Sequence, residues 1–154
     1  MERDKTLERI KSCMVMESAC STVYHLMAIK FPGENELWNE LAFDEERHAD
    51  IISEAIGFEL EDYLNFKIPP ELVHIRKTVD YAGEIKEMML HKNISPQEAL
   101  IKVKNLCELK DESYILDLLE KETEERVKKV FKKFFEIDRP KADLVRAVMA
   151  KYGL

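Results

Sequence analysis

Helix breakers are scarce in this sequence: 154 residues contain 4 glycines and 5 prolines. So few turn formers leave little room for the frequent reversals of an all-β fold. Helix-forming side chains dominate instead, and the expectation is an all-α protein. Three cysteines, an odd number with no C-x-x-C pair, do not supply a thiolate zinc knuckle or a rubredoxin-type iron site. They fit a reducing compartment. No apolar run approaches the roughly 18 residues a membrane span requires. The charged start MERDKTLERIK does not read as a secretory leader. Basic residues are outnumbered, 24 against 31 acidic ones, and the net charge of −7 favours solubility over binding to a phosphate backbone. Together these absences predict a cytoplasmic, acidic, helical chain with neither membrane nor nucleic acid as partner. Its length predicts one domain, residues 1–154, large enough to bury its own core.

The breakers that are present fall where boundaries belong. Pro32-Gly33 separates two long helical patterns and predicts a short turn between antiparallel neighbours. Before it, Ile10, Cys13, Glu17, Cys20, Tyr24 and Met27 recur at steps of three or four and share one face. After it, Leu41, Glu45, His48, Ile52 and Ala55 do the same until Gly57 offers a stop. Residues 58–68 are irregular, and Pro69-Pro70 then offers a helix start. Leu72 to Leu90 reads as a moderately amphipathic helix with Gly83 as a weak spot. Ser95-Pro96-Gln97-Glu98 is a capping signature, followed by a stripe of Leu100, Val103, Cys107, Tyr114 and Leu118. The next turn is expected near Glu120 to Thr123. Thr123 then caps a last helix to about Lys151, with Pro140 inside it as a kink. The predicted architecture is a four-helix bundle of two antiparallel hairpins joined by a long helical crossover.

Acids and a histidine stand on these inward stripes. Glu45-Glu46-Arg47-His48 is an E-x-x-H, whose three-residue step projects carboxylate and imidazole from one helix face towards a single cation. Glu17 lies about sixteen residues before the turn and Glu45 about twelve after it; at ~1.5 Å per residue their heights differ by about one helical turn. In a glutamate-rich chain such a motif arises by chance. Its place on an apolar stripe raises it, because an unpaired buried carboxylate is expensive.

The second hairpin echoes the first. Glu17 precedes Tyr24 by seven residues, as Cys107 precedes Tyr114, and Glu45-x-x-His48-Ala49-Asp50 is matched by Asp138-x-x-Lys141-Ala142-Asp143. Such a repeat predicts two hairpins about a pseudo-twofold axis, with the echoing positions meeting at mid-bundle.

The run from Glu17 to Tyr24 (ESACSTVY), Leu37-Trp38, and Leu41 to Ala49 (LAFDEERHA) resembles the rubrerythrin branch of the ferritin-like superfamily. The resemblance is strong over residues 7–56 and weak over 95–150. It implies a four-helix bundle with a non-haem di-iron site, activity towards peroxide or dioxygen, and an external electron donor, since no rubredoxin-type donor is present. Carried over by position, Glu17, Glu45 and His48 match the first half of that site. The second half departs from the pattern. Cys107 replaces the terminal glutamate, Asp138 the bridging glutamate, and Lys141, which has no lone pair for a metal, the histidine.

Glu17, Glu45 and Asp138 contribute −3 and Lys141 +1, so one divalent ion restores neutrality where the family uses two. The expectation is therefore a one-metal site of Glu17, Glu45 and His48 with Asp138 as fourth ligand. Iron is expected, and manganese or zinc suits the same donors. Lys141 is the fixed cation at the second metal's place and stabilises charge developing on oxygen; Tyr24 is its catalytic companion as a hydrogen-bond donor to a carboxylate. The alternative is a metal-free, catalytically silent bundle serving as an interaction or assembly module, with Lys141 and His48 pairing with the acids directly. A ferritin-like iron store ranks third.

Blander roles compete at each position. The three cysteines are core packing by default, and a redox cluster would need depressed thiol pKa values. Tyr24 and Tyr114 serve equally well as amphipathic core fillers. His25, His74 and His91 lack ligand-spaced partners and are expected to be exposed. Glu122-x-x-Glu125 is dipole-favourable charge at a helix start, and Lys128, Lys129, Lys132 and Lys133 form a solvated face. Met14, Met16, Phe31, Trp38 and Phe43 are expected to leave apolar surface for a homodimer.

Overall fold

The computed structural model describes residues 2–57, 72–110 and 140–154, together with positions 125, 129 and 132. Its elements are helical, and no strand occurs among the described residues. Helix α1 spans Glu2–Lys30, α2 Asn35–Gly57, α3 Leu72–His91, α4 Pro96–Leu109 and α5 Lys141–Lys151; one 3-10 turn, Pro32–Glu34, joins α1 to α2. That turn lies where Pro32-Gly33 predicts it.

Contacts across the first hairpin run in opposite directions along its two helices. Glu17 of α1 faces His48 of α2. Tyr24 stacks on Trp38 at 6.3 Å between ring centroids, and Phe31, just past α1, also meets Trp38, at 6.4 Å. The pair is therefore antiparallel. Helix α3 lies against α1 and α4, and α4 against α5. The start of α3 meets the end of α4, where His74 Nε2 lies 2.9 Å from the Leu109 carbonyl oxygen. The C-terminal end of α5 reaches back to the α1–α2 turn: Tyr152 packs edge-on against Phe31 at 5.3 Å between centroids, and its hydroxyl donates to Glu34.

Tyr24, Met27, Phe31, Trp38, Leu41, Ile85, Leu100, Val103, Leu106, Val145 and Val148 fill one core. Of these, Tyr24, Met27, Leu41, Leu100 and Val103 are residues that the stripes on α1, α2 and α4 place inward. Burying each large apolar side chain contributes about 1.5–3 kcal/mol before the entropy of ordering it.

The structure corrects several expectations. Helix α4 begins at its predicted cap, where Ser95 Oγ accepts from the Glu98 N–H and Pro96 stands at the first position. It ends at Leu109, not near Glu120, and Lys110 closes it by donating its N–H to the Leu106 carbonyl. Pro140 does not kink a helix from within. It precedes α5, which starts at Lys141, because proline has no N–H for the ladder and its carbonyl instead accepts the Leu144 N–H. Residues 58–68, Thr123, Tyr114 and Leu118 lie outside the described residues.

The proposed dimer surface also changes. Met16, Phe31 and Trp38 are buried in the core, Met14 is half-buried, and Phe43 alone of the five is exposed. Large aromatic side chains this close to a helix turn are consumed by the hairpin itself. His74 is half-buried rather than exposed, because of its contact with Leu109.

Candidate metal centre

Four elements converge on one buried cluster. Helix α1 supplies Glu17, α2 supplies Glu45 and His48, the bend after α4 supplies Lys110, and the first residue of α5 is Lys141. All five are buried. Glu45 and His48 share a face through their three-residue step, and Glu17 meets them because the hairpin brings α1 and α2 into register there.

Glu17, Glu45 and His48 each offer one ligand atom, and the three atoms lie within 4.8 Å of one another. His48 Nδ1 is 3.7 Å from Glu17 Oε2 and 4.0 Å from Glu45 Oε1. Donors around a tetrahedral ion with bonds of about 2.1 Å stand about 3.4 Å apart, so a small inward movement satisfies one ion. The group can hold a metal. Two carboxylates and an imidazole suit iron(II), manganese or zinc.

Cations already touch the carboxylates. Lys110 Nζ lies 2.7 Å from Glu17 Oε2 and donates a hydrogen bond to Glu45 Oε2. Lys141 Nζ stands 3.0 Å from Glu45 Oε1. The ammonium of Lys141 thus sits beside Glu45. A single ion fits the donor set of Glu17, Glu45 and His48.

Lys110 is the site residue that the sequence reading overlooked. It continues the stripe Leu100, Val103, Cys107 at the next three-residue step, which was the available signal. A lysine at a helix end ordinarily reads as solvated charge opposite the dipole.

The remaining candidates divide. Asp138 lies outside the described residues. Tyr24 is buried, and its hydroxyl lies 3.1 Å from Cys107 Sγ; among the described residues it meets that thiol, not a carboxylate. Cys107 thus faces α1 across the core. Burial pushes the Cys107 thiol up to about 11, with Tyr24's hydrogen bond opposing the rise. Burial likewise raises Cys20 and Tyr24. A redox thiol cluster needs the opposite direction, so both thiols behave as protonated core groups.

His25 Nε2 lies 2.9 Å from Glu46 Oε1, to which Ser21 Oγ also donates at 3.0 Å. His25 and His91 are exposed, as are Glu125, Lys129 and Lys132. No described helix is long and apolar enough to cross a membrane. Comparison with protein-family models, with curated proteins and with solved structures finds no match to this chain.

Proposed function

We propose that the protein is a rubrerythrin-like helical bundle that binds one non-haem divalent metal, iron foremost, through Glu17, Glu45 and His48. One observation carries this proposal: the buried imidazole of His48 joins both carboxylates. Among the described residues the ammoniums of Lys110 and Lys141 already pair with these carboxylates, and that pairing needs no imidazole. A third donor at the same point completes a ligand set instead. Buried polar groups held together without an evident gain in stability mark functional sites.

A bound metal of this type supplies Lewis acidity and, if redox-active, an electron to peroxide or dioxygen. The chain's own residues do the rest. Glu17 and Glu45 provide negative charge on opposing helices, His48 a neutral nitrogen, and Lys141 a fixed cation beside Glu45. The carboxylates and the imidazole are themselves buried, which restricts water. In this scheme the substrate is peroxide or dioxygen, an external protein or small molecule supplies electrons, and the fold is the ferritin-like pair of hairpins.

A second function has its own supporting observation. Among the described residues Lys110 and Lys141 pair with both carboxylates, which supports a metal-free ion network in a silent interaction module. Anaerobic equilibrium dialysis against iron(II) separates the two. The metal centre predicts one equivalent per chain, lost in Glu17→Ala and in His48→Ala; a silent bundle binds none.

A further inference from the structure

We propose that Lys110 is an exchangeable plug for the metal centre: its ammonium and a divalent ion compete for the same carboxylate oxygens, so the ion enters only as Lys110 withdraws. This rests on Glu17, Glu45 and His48 being the ligands.

The first support is position. Lys110 Nζ contacts Oε2 of both Glu17 and Glu45, and the Glu17 oxygen is also the one nearest His48 Nδ1. An ammonium has no lone pair, so Lys110 cannot become a ligand and must be displaced from these oxygens.

The second is how the two lysines are held. Lys141 belongs to a helix and addresses Oε1 of Glu45. Lys110 lies beyond the last helical residue of α4, with φ −88° and ψ 71°, and its backbone N–H remains tied to Leu106. Its flexible four-carbon stem can therefore swing without unwinding a turn of helix. The same end of α4 is also held by His74, which contacts the neighbouring Leu109 carbonyl.

The third is charge. Among the described residues two carboxylates face two ammoniums here, so an ion added with Lys110 in place adds two positive charges to a buried site. Withdrawing Lys110 halves that addition and removes its contact from both oxygens. Metal binding is thereby coupled to the C-terminal end of α4.

Anaerobic titration of the full chain with cobalt(II), followed by visible absorption, tests the plug. Lys110→Met removes the competitor and is expected to bind cobalt about tenfold or more tightly than the parent. Equal or weaker binding by Lys110→Met, with the parent binding, overturns the plug and leaves the ligand assignment standing. No binding by either protein overturns the ligand assignment itself. A second measurement needs no variant: acylation of Lys110 in the parent, located by mass spectrometry, with and without cobalt. Acylation is expected to speed up about tenfold when cobalt binds. An unchanged rate in cobalt-loaded protein overturns the plug.

Discussion

The ammonium of Lys110 stands 2.7 Å from Glu17 Oε2 and also bonds Glu45, so one cation from the end of α4 holds together carboxylates of α1 and α2. Three helices are joined at that point, and Lys141 adds a fourth through the other oxygen of Glu45. Glu45 is the hub. It carries two ammoniums, whereas Glu17 carries the Lys110 contact beside His48.

That asymmetry orders two substitutions. Glu45→Gln removes the carboxylate that both buried ammoniums contact, leaving Lys110 with Glu17 alone of the two, and is expected to cost about 3–5 kcal/mol. Glu17→Gln leaves Lys110 still paired with Glu45 and is expected to cost less. Urea midpoints of the metal-free proteins check the order.

The buried thiols and Tyr24 make folding less favourable at alkaline pH, because burial raises their pKa values. Cys107 holds its proton up to about pH 11 in the fold, against an ordinary value near 9, with burial as the largest cause. Because the folded value is raised, the contribution is fully present below about pH 9 and is lost as pH climbs towards 11, when the unfolded chain ionises first. Urea midpoints are expected to fall between pH 8 and pH 10.5. Cys107→Ala should remove up to ~2 kcal/mol of that fall, leaving the part due to Cys20 and Tyr24.

On the surface of the first hairpin, the hydrogen bond from His25, then that from Ser21, holds the Glu46 carboxyl below its ordinary range. A lowered value means that its contribution is present above the ordinary carboxylate pKa and lost as pH falls through the folded one. His25→Ala is expected to move the Glu46 titration upward in an NMR pH series while leaving Ser21's smaller effect in place.

Ser95 is the side chain that starts α4, through its bond to the Glu98 N–H. Ser95→Ala is expected to lower stability by about 1 kcal/mol, read as a reduced midpoint with an unchanged slope against urea.

Much of this arrangement was legible in periodicity. Glu17, Cys20, Tyr24 and Met27 are buried together because α1 is regular throughout, and Pro32-Gly33 could only be a turn. The Ser95 cap was legible for a local reason: serine, proline and glutamate at those offsets satisfy a helix start by themselves. The end of α4 was not, since nothing at Leu109 breaks a helix and the termination rests on tertiary contacts around Lys110 and His74. The donors Glu17, Glu45 and His48 followed from spacing and an apolar stripe. Lys110 did not, because a lysine near a helix end has the same local pattern whether it reaches solvent or a buried carboxylate. The aromatic residues erred in the other direction: Phe31 and Trp38 were assigned to an interface, yet the hairpin buries both.

Anomalous diffraction from crystals of the parent protein grown with manganese(II) or iron(II), recorded at the metal's absorption edge, tests the metal centre most directly. One peak per chain is expected among Glu17, Glu45 and His48, with the Lys110 ammonium displaced from it. No peak, with Lys110 still seated on both carboxylates, or two peaks in the cluster, would contradict the one-metal centre.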